Sequence, residues 1–186
     1  MGIEREFLPI ANNHAIKARQ SMGLEPDAPL CPFEYTIFRG YQVLKLTELL
    51  KDDPKRVKIQ SNTENRKPVF SAGTLLSPYQ KTILGFVVND THQLERQKSN
   101  LAHEWGHLFQ GHIPQNILCN RKDIHSKREE QEADNVGFAL LMTDQMCFRL
   151  AGEGLSDIEI SEKYKISLPV VKLRMNRTYA RKLIAA

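Results

Sequence analysis

An α+β fold follows from three features of this 186-residue sequence. Apolar residues recur at helical spacing in several long segments. Two β-type runs lie side by side near the middle. Capping-box patterns open two helices in the second half. Hydrophobic residues make up 41% and charged residues 26%, which excludes a disordered or low-complexity chain. The length suits one ordinary domain whose core needs no disulfide staples.

The elements can be justified in order. A first helix is expected over residues 5–20, where Phe7, Leu8, Ala11, Ala15, Ile16 and Ala18 keep helical spacing. Met22–Pro32 carries three prolines and reads as a connection. Pro32–Phe38 reads as a short helix stopped by Gly40. Residues 41–50 fit strand and helix equally well. Gln60–Lys67 is polar and loop-like. Val69–Leu76 and Thr82–Val88, separated by Ser77–Lys81, predict a hairpin. A long helix follows Asp90-Thr91, with Leu94, Leu101, Trp105 and Leu108 at helical intervals, and ends at Gly111 or by Pro114. Residues 114–125 form a connection. Ser126-Lys127-Arg128-Glu129 is a capping box, and Ala133, Val136, Gly137 and Leu140 continue the helix it opens. Gly152 and Gly154 then break the chain. A second capping box, Ser156 to Glu159, leads a short helix, a turn at Lys165–Ser167 and a helix from Leu168 towards Leu183. That succession is similar to a helix-turn-helix.

Charge is unevenly spread. Ser161–Ala186 holds seven basic residues against the single acid Glu162, a local charge of +6 that leaves −2 for residues 1–160. The organisation expected is a body over residues 1–150 and a basic helical segment over 151–186. The basic segment reads either as a solvated helix face or as a footprint for nucleic acid or an acidic partner. Cys31, Cys119 and Cys147 are odd in number and contain no C-x-x-C pair, so a disulfide scaffold is not expected and a reducing cytosol is. The absence of an apolar signal segment and of any apolar run near ~20 residues predicts a soluble cytoplasmic protein with no membrane partner.

The informative motif is His103-Glu104-Trp105-Gly106-His107, an H-E-x-x-H pattern that arises by chance in about one chain in a hundred. It lies inside the long helix, the context it requires. Residues four apart sit about 40° apart on one helix face, so the two imidazoles can grip one zinc ion. Glu104 lies about 60° from His107, placed to reach a water at the metal without being a ligand. Such a site uses zinc to acidify water and polarise a carbonyl, while the carboxylate moves a proton from the water to the leaving amine. Trp105 is more simply a core aromatic.

A catalytic zinc needs a third protein ligand and an open position. Gly111 and His112 stand four and five after His107, which excludes the H-E-x-x-H-x-x-G-x-x-H subclass. His112 reads as a residue that caps or packs near the helix end, and His14, His92 and His125 as surface or loop residues. The other source is a glutamate of the next helix. With Ala133 at 0°, its apolar face spans about −60° to +80°, and Glu129 falls near −40°, Glu130 near +60° and Glu132 near −100°. Glu132 therefore reads as a solvated carboxylate. Glu129 has a competing job in the capping box, which leaves Glu130 as the ligand. Asp134, one turn on, can hold a ligating histidine by its free N–H, or stand as an exposed helix acid.

H-E-W-G-H at 103–107 together with E-Q-E-A-D-N-V-G-F-A-L-L-M at 130–142 resembles the ImmA/IrrE family of zinc metallopeptidases. The resemblance covers roughly residues 30–145. It departs where Val136-Gly137 replace the usual phenylalanine-alanine and where Thr143 replaces a proline. It implies a compact zincin-like, gluzincin-type core with a small sheet beside the zinc helix and a helical C-terminal part. It implies His103, His107 and Glu130 as ligands of one Zn²⁺ per chain, with Glu104 as catalytic base. It further implies limited, regulatory proteolysis of a protein substrate, a helix-turn-helix repressor of a mobile element or stress response. A zincin commonly binds peptide along a sheet edge, so Thr82–Val88 or its neighbour is expected to pair with substrate. The second reading is a non-catalytic DNA- or repressor-binding regulator with a structural or vestigial zinc site. Tyr79, Tyr164 and Tyr179 are available as oxyanion donors, with no spacing that selects among them.

Overall fold

The computed structural model describes residues 3–51, 70–77, 82–112 and 126–184. The expected loop at 60–67, most of the hairpin turn and the connection at 114–125 lie outside the described residues, as do Tyr79, Cys119 and His125. The helices are α1 (Ile3–Ser21), α2 (Pro32–Phe38), α3 (Leu46–Leu49), α4 (Leu94–Gln110), α5 (Lys127–Leu141), α6 (Asp144–Gly152), α7 (Asp157–Tyr164), α8 (Leu168–Thr178) and α9 (Ala180–Ile184). The strands are β1 (Gln42–Lys45), β2 (Ala72–Leu76) and β3 (Ile83–Val88). None of these helices is long and apolar enough to cross a membrane.

The α+β class holds, with a three-stranded sheet of order β1-β3-β2. The expected hairpin forms as β2 antiparallel to β3. The ambiguous segment 41–50 is both things in turn: β1 pairs parallel to β3, and the chain then makes the single turn of α3. That pairing depends on Gly85. A Cβ there would lie 2.9 Å from the Gln42 carbonyl carbon, so only glycine admits the Gln42 backbone.

Helix α4 lies on the sheet through Leu101 and Trp105, which are buried with Tyr35, Phe86, Val88 and Leu140. Each such side chain stabilises the fold by about 1.5–3 kcal/mol on burial. Trp105 Nε1 also donates to Thr36 Oγ1 at 2.7 Å, so its one polar atom is satisfied inside the core. On its far side α5 packs against α1, with Val136 and Ala139 meeting Ala11 and Ala15.

Between α4 and α5 the contact is backbone on backbone. A Cβ at Gly106 would lie 2.7 Å from the Ala133 carbonyl carbon, and one at Gly137 2.7 Å from that of Ala102. Each helix thus contributes one glycine to the crossing. Gly137 stands at the position where the resemblance leads one to expect a larger residue, and here its smallness sets the interhelical distance.

The C-terminal helices enclose a second cluster with Leu141, Met142, Met146, Cys147 and Leu150, to which Ile160, Val171, Met175 and Ala180 contribute. Both capping boxes are formed as expected, at Ser126–Glu129 and Ser156–Glu159. Thr143 is the N-cap of α6, accepting from Met146 N, so the residue found in place of proline starts the next helix. The helix expected to run towards Leu183 breaks at Tyr179, which has φ +53°. That conformation costs a non-glycine residue about 1–2 kcal/mol. Burial of Ala180 offsets it, because the break folds α9 back onto α6.

One basic residue of the C-terminal segment is directed inward, and several others are paired. Arg174 is 1% exposed, donating to the Met142 carbonyl at 2.8 Å and to Asp144 at 2.5 Å. Arg19, from α1, donates to the neighbouring Leu141 carbonyl at 3.4 Å. The two guanidiniums thereby satisfy carbonyls that the end of α5 leaves open. Arg177 bonds Asn135 of α5, Arg181 pairs with Asp157, and Lys165 with Glu95.

His92, expected at the surface, is 9% exposed, and Asn100 donates to its Nδ1 at 3.4 Å. Burial, with Arg96 nearby, lowers its pKa from 6.5 to about 4. Between those two values the unfolded chain binds a proton that the folded chain refuses. Stability therefore falls as pH drops through this window and is level below it. Imidazole NMR during acid titration is expected to place the His92 midpoint near pH 4, and His92→Asn to flatten the fall in stability. A midpoint at the ordinary value of 6.5 would sink this account.

Candidate metal centre

The long helix α4 carries His103, Glu104 and His107 into the interior, all three buried. Their four-residue spacing turns the two imidazoles to one face, with His103 Nε2 and His107 Nε2 3.0 Å apart. The close α4–α5 crossing brings the first turns of α5 under them. Glu130 Oε2 lies 3.5 Å from His103 Nε2, and Oε1 lies 3.4 Å from His107 Nε2. One ligand atom from each of His103, His107 and Glu130 falls within a 4.8 Å cluster.

The chemistry of this set fits a bound cation. Asp134 Oδ1 lies 2.7 Å from His103 Nδ1, so that nitrogen is the donor and Nε2 keeps its lone pair. The partner of His107 Nδ1 is His112 Nδ1, at 3.1 Å. Glu130 Oε1 is buried and meets no hydrogen-bond donor among the described residues. Ligand atoms around a tetrahedral zinc at about 2.1 Å stand about 3.4 Å from one another. The observed separations bracket that value. Two imidazole nitrogens and a carboxylate are also the donor types zinc favours. Burial would raise the Glu130 carboxyl, but His103 and His107, when they carry protons on Nε2 in place of a metal, outweigh it and hold the group far below the usual carboxylate range.

Glu104 is placed beside this cluster without joining it. Its Oε2 accepts from Thr74 Oγ1 at 2.9 Å, and no donor among the described residues meets Oε1. Thr74 is buried on β2, paired in register with Phe86, so the sheet fixes where its hydroxyl stands. Sequence reasoning missed Thr74. The signal was there in retrospect, as the one hydroxyl within the apolar run Ala72–Leu76.

The remaining acids separate as follows. Glu129 is engaged in the capping box, where its carboxylate accepts from Ser126 N at 2.7 Å. Asp134 sits behind His103. Glu132 is not the solvated carboxylate its helical phase predicted. It is 8% exposed, 3.1 Å from His112 Nε2 and 2.7 Å from Arg128 Nε. Phase failed here because the cover comes from His112, beyond the end of another helix. Of the tyrosines, Tyr164 packs against the C-terminal cluster and Tyr179 is exposed.

Comparison with known families gives one match. The family model described as the IrrE N-terminal-like domain, a peptidase family, matches residues 66–176, more than half of the chain. Neither curated proteins nor solved structures gave a match.

Proposed function

The chain belongs to the IrrE N-terminal-like peptidase family, and from that premise we propose that it is a zinc-dependent endopeptidase. It makes limited, regulatory cuts in a cytosolic protein, a helix-turn-helix repressor of a mobile element or stress response, within a zincin-like core. The observation that carries this reading is the convergence of His103 Nε2, His107 Nε2 and the Glu130 carboxylate, with Glu104 beside them on the same helix.

His103, His107 and Glu130 would hold the zinc, and Asp134 orients His103 through its Nδ1–H. Bound zinc would acidify water and polarise the scissile carbonyl. Glu104 takes the proton on Oε1 and returns it to the leaving amine. Thr74 anchors Oε2, so the carboxylate keeps one orientation throughout. Because β3 is the central strand, Thr82–Val88 has no free edge, and peptide pairing falls to its neighbour β2. Among the described residues the outer edge of β2 carries no strand, and β2 holds Thr74 against Glu104. A substrate strand added there would run past the cluster.

The alternative of a DNA-binding regulator rests on the charge of the basic segment. Arg174 is buried against Asp144, and Lys165 and Arg181 are paired at the surface with Glu95 and Asp157, so less of that charge remains for phosphates.

Purified protein is expected to carry one zinc per chain. It is expected to convert a co-expressed helix-turn-helix repressor substrate into two fragments whose masses sum to the substrate plus one water. Chelation should stop the reaction and added zinc restore it. Chelator-resistant cleavage, or protein unable to take up zinc, would overturn the reading.

A further inference from the structure

A metal on His103 Nε2 and His107 Nε2 demands that each ring carry its proton on Nδ1, since a protonated nitrogen has no lone pair to give. Behind His103 the demand is met directly by Asp134. Behind His107 stands a second imidazole, His112, with Nδ1 facing Nδ1 at 3.1 Å. Two facing imidazoles are ambiguous. If His112 donates, His107 is left with its proton on Nε2, the tautomer that blocks coordination.

The ambiguity is resolved one group further out. His112 Nε2 lies 3.1 Å from Glu132 Oε2. A carboxylate only accepts, so the proton of His112 sits on Nε2 and its Nδ1 is an acceptor. His107 must then donate from Nδ1, and its Nε2 is open. Arg128 Nε donates to Glu132 Oε1 at 2.7 Å and fixes the carboxylate's orientation. The side chains of His112 and Glu132 are only 9% and 11% exposed, so bulk water is a poor substitute for either partner.

The backbone explains how His112 reaches this place. Gly111 has φ +70°, and the chain closes α4 with His112 N bonded to His107 O at 2.9 Å and Gly111 N to Leu108 O at 3.1 Å. This reversal is a Schellman motif, which needs the left-handed residue that glycine supplies. It drops the His112 ring onto the rear nitrogen of His107. The offsets of four and five after His107, which exclude a third histidine ligand, are the ones that allow this return.

We propose that His112, Glu132 and Arg128 are a positioning chain that fixes His107 in its metal-binding tautomer, the indirect counterpart of Asp134 behind His103. The proposal rests on the metal reading above. Its test is metal affinity in the full chain, measured with Zn²⁺ and Co²⁺ against a chromophoric chelator, together with the visible spectrum of the Co²⁺ form. His112→Phe keeps a ring and removes both polar atoms, and is expected to weaken binding about 10- to 100-fold and alter the Co²⁺ spectrum. Glu132→Gln, which can donate as well as accept, is expected to shift both readouts in the same direction. His112→Asn restores an acceptor towards His107 and is expected to recover part of the affinity. Thermal melting of the metal-free proteins separates loss of fold from loss of binding, and Glu132→Gln decides the matter if His112→Phe does not fold. Affinities within about twofold of wild type, with unchanged Co²⁺ spectra, would overturn the chain while leaving the metal site intact. A wild-type protein that takes up neither ion would overturn both.

Discussion

Glu104→Gln is expected to keep one zinc per chain and to lose cleavage by about 10²- to 10⁴-fold, the range a positioned general base contributes. The two halves of this expectation have separate structural grounds. Zinc should remain because Glu104 lies outside the three-residue cluster of His103, His107 and Glu130. Cleavage should fail because the amide cannot take a proton, although it matches the carboxylate in shape and can still accept from Thr74. The measurement is kcat/KM on the fragmenting substrate, with zinc content determined on the same preparation. Zinc-loaded Glu104→Gln that cleaves at wild-type rate would remove Glu104 from the mechanism. Loss of zinc as well as activity would instead place Glu104 among the groups that hold the metal.

The second large effect is expected at the helix crossing. Gly137→Ala and Gly106→Ala each add a methyl group that meets a carbonyl of the opposite helix, 2.7 Å from its carbon. A backbone carbonyl cannot rotate aside as a flexible side chain can. The helices must separate, and overpacking of this kind costs about 1–3 kcal/mol, sometimes more. Alanine's better helix propensity offsets about 1 kcal/mol of that. The net loss should lower the melting temperature by about 2–4 °C for each kcal/mol in a chain of this size. The functional consequence is larger than the stability change, because α5 carries Glu130. A shift of a few tenths of an ångström moves one ligand relative to the other two, so zinc affinity should fall even where the protein remains folded. Gly152→Ala is the control, since its Cβ would meet only Ile184 Cδ1 at 3.8 Å. Melting and chelator competition on the three variants check the idea. Equal affinities in all three would mean that the crossing does not set the ligand geometry.

Much of the site was legible because its parts are local. The four-residue interval of His103 and His107 is a property of one helix, and so is the phase that turns Glu130, with Asp134 one turn on, toward that helix. Both capping boxes were legible for the same reason, as each is completed within four residues. The reading failed where a group's partner lies far along the chain. Thr74 meets Glu104 across 30 residues and His112 meets Glu132 across 20. Neither spacing has a period that a sequence can display. His92 and Glu132 were placed in solvent because their own elements leave them outside, whereas the cover comes from elsewhere.

By itself the sequence determined the α+β class, most helix starts and stops, the two strands of the hairpin and the residues converging on one point. All of these follow from short-range periodicity and capping, which act within a few residues. Only the tertiary structure decided that residues 42–45 join the sheet as a parallel edge, that Tyr179 breaks the last helix, and that Arg174 of the basic segment turns inward. It also set the distance between the two helices of the site, through Gly106 and Gly137. Those outcomes depend on which surfaces meet, and the free energy that selects them comes from burial and hydrogen bonding between segments distant in the chain.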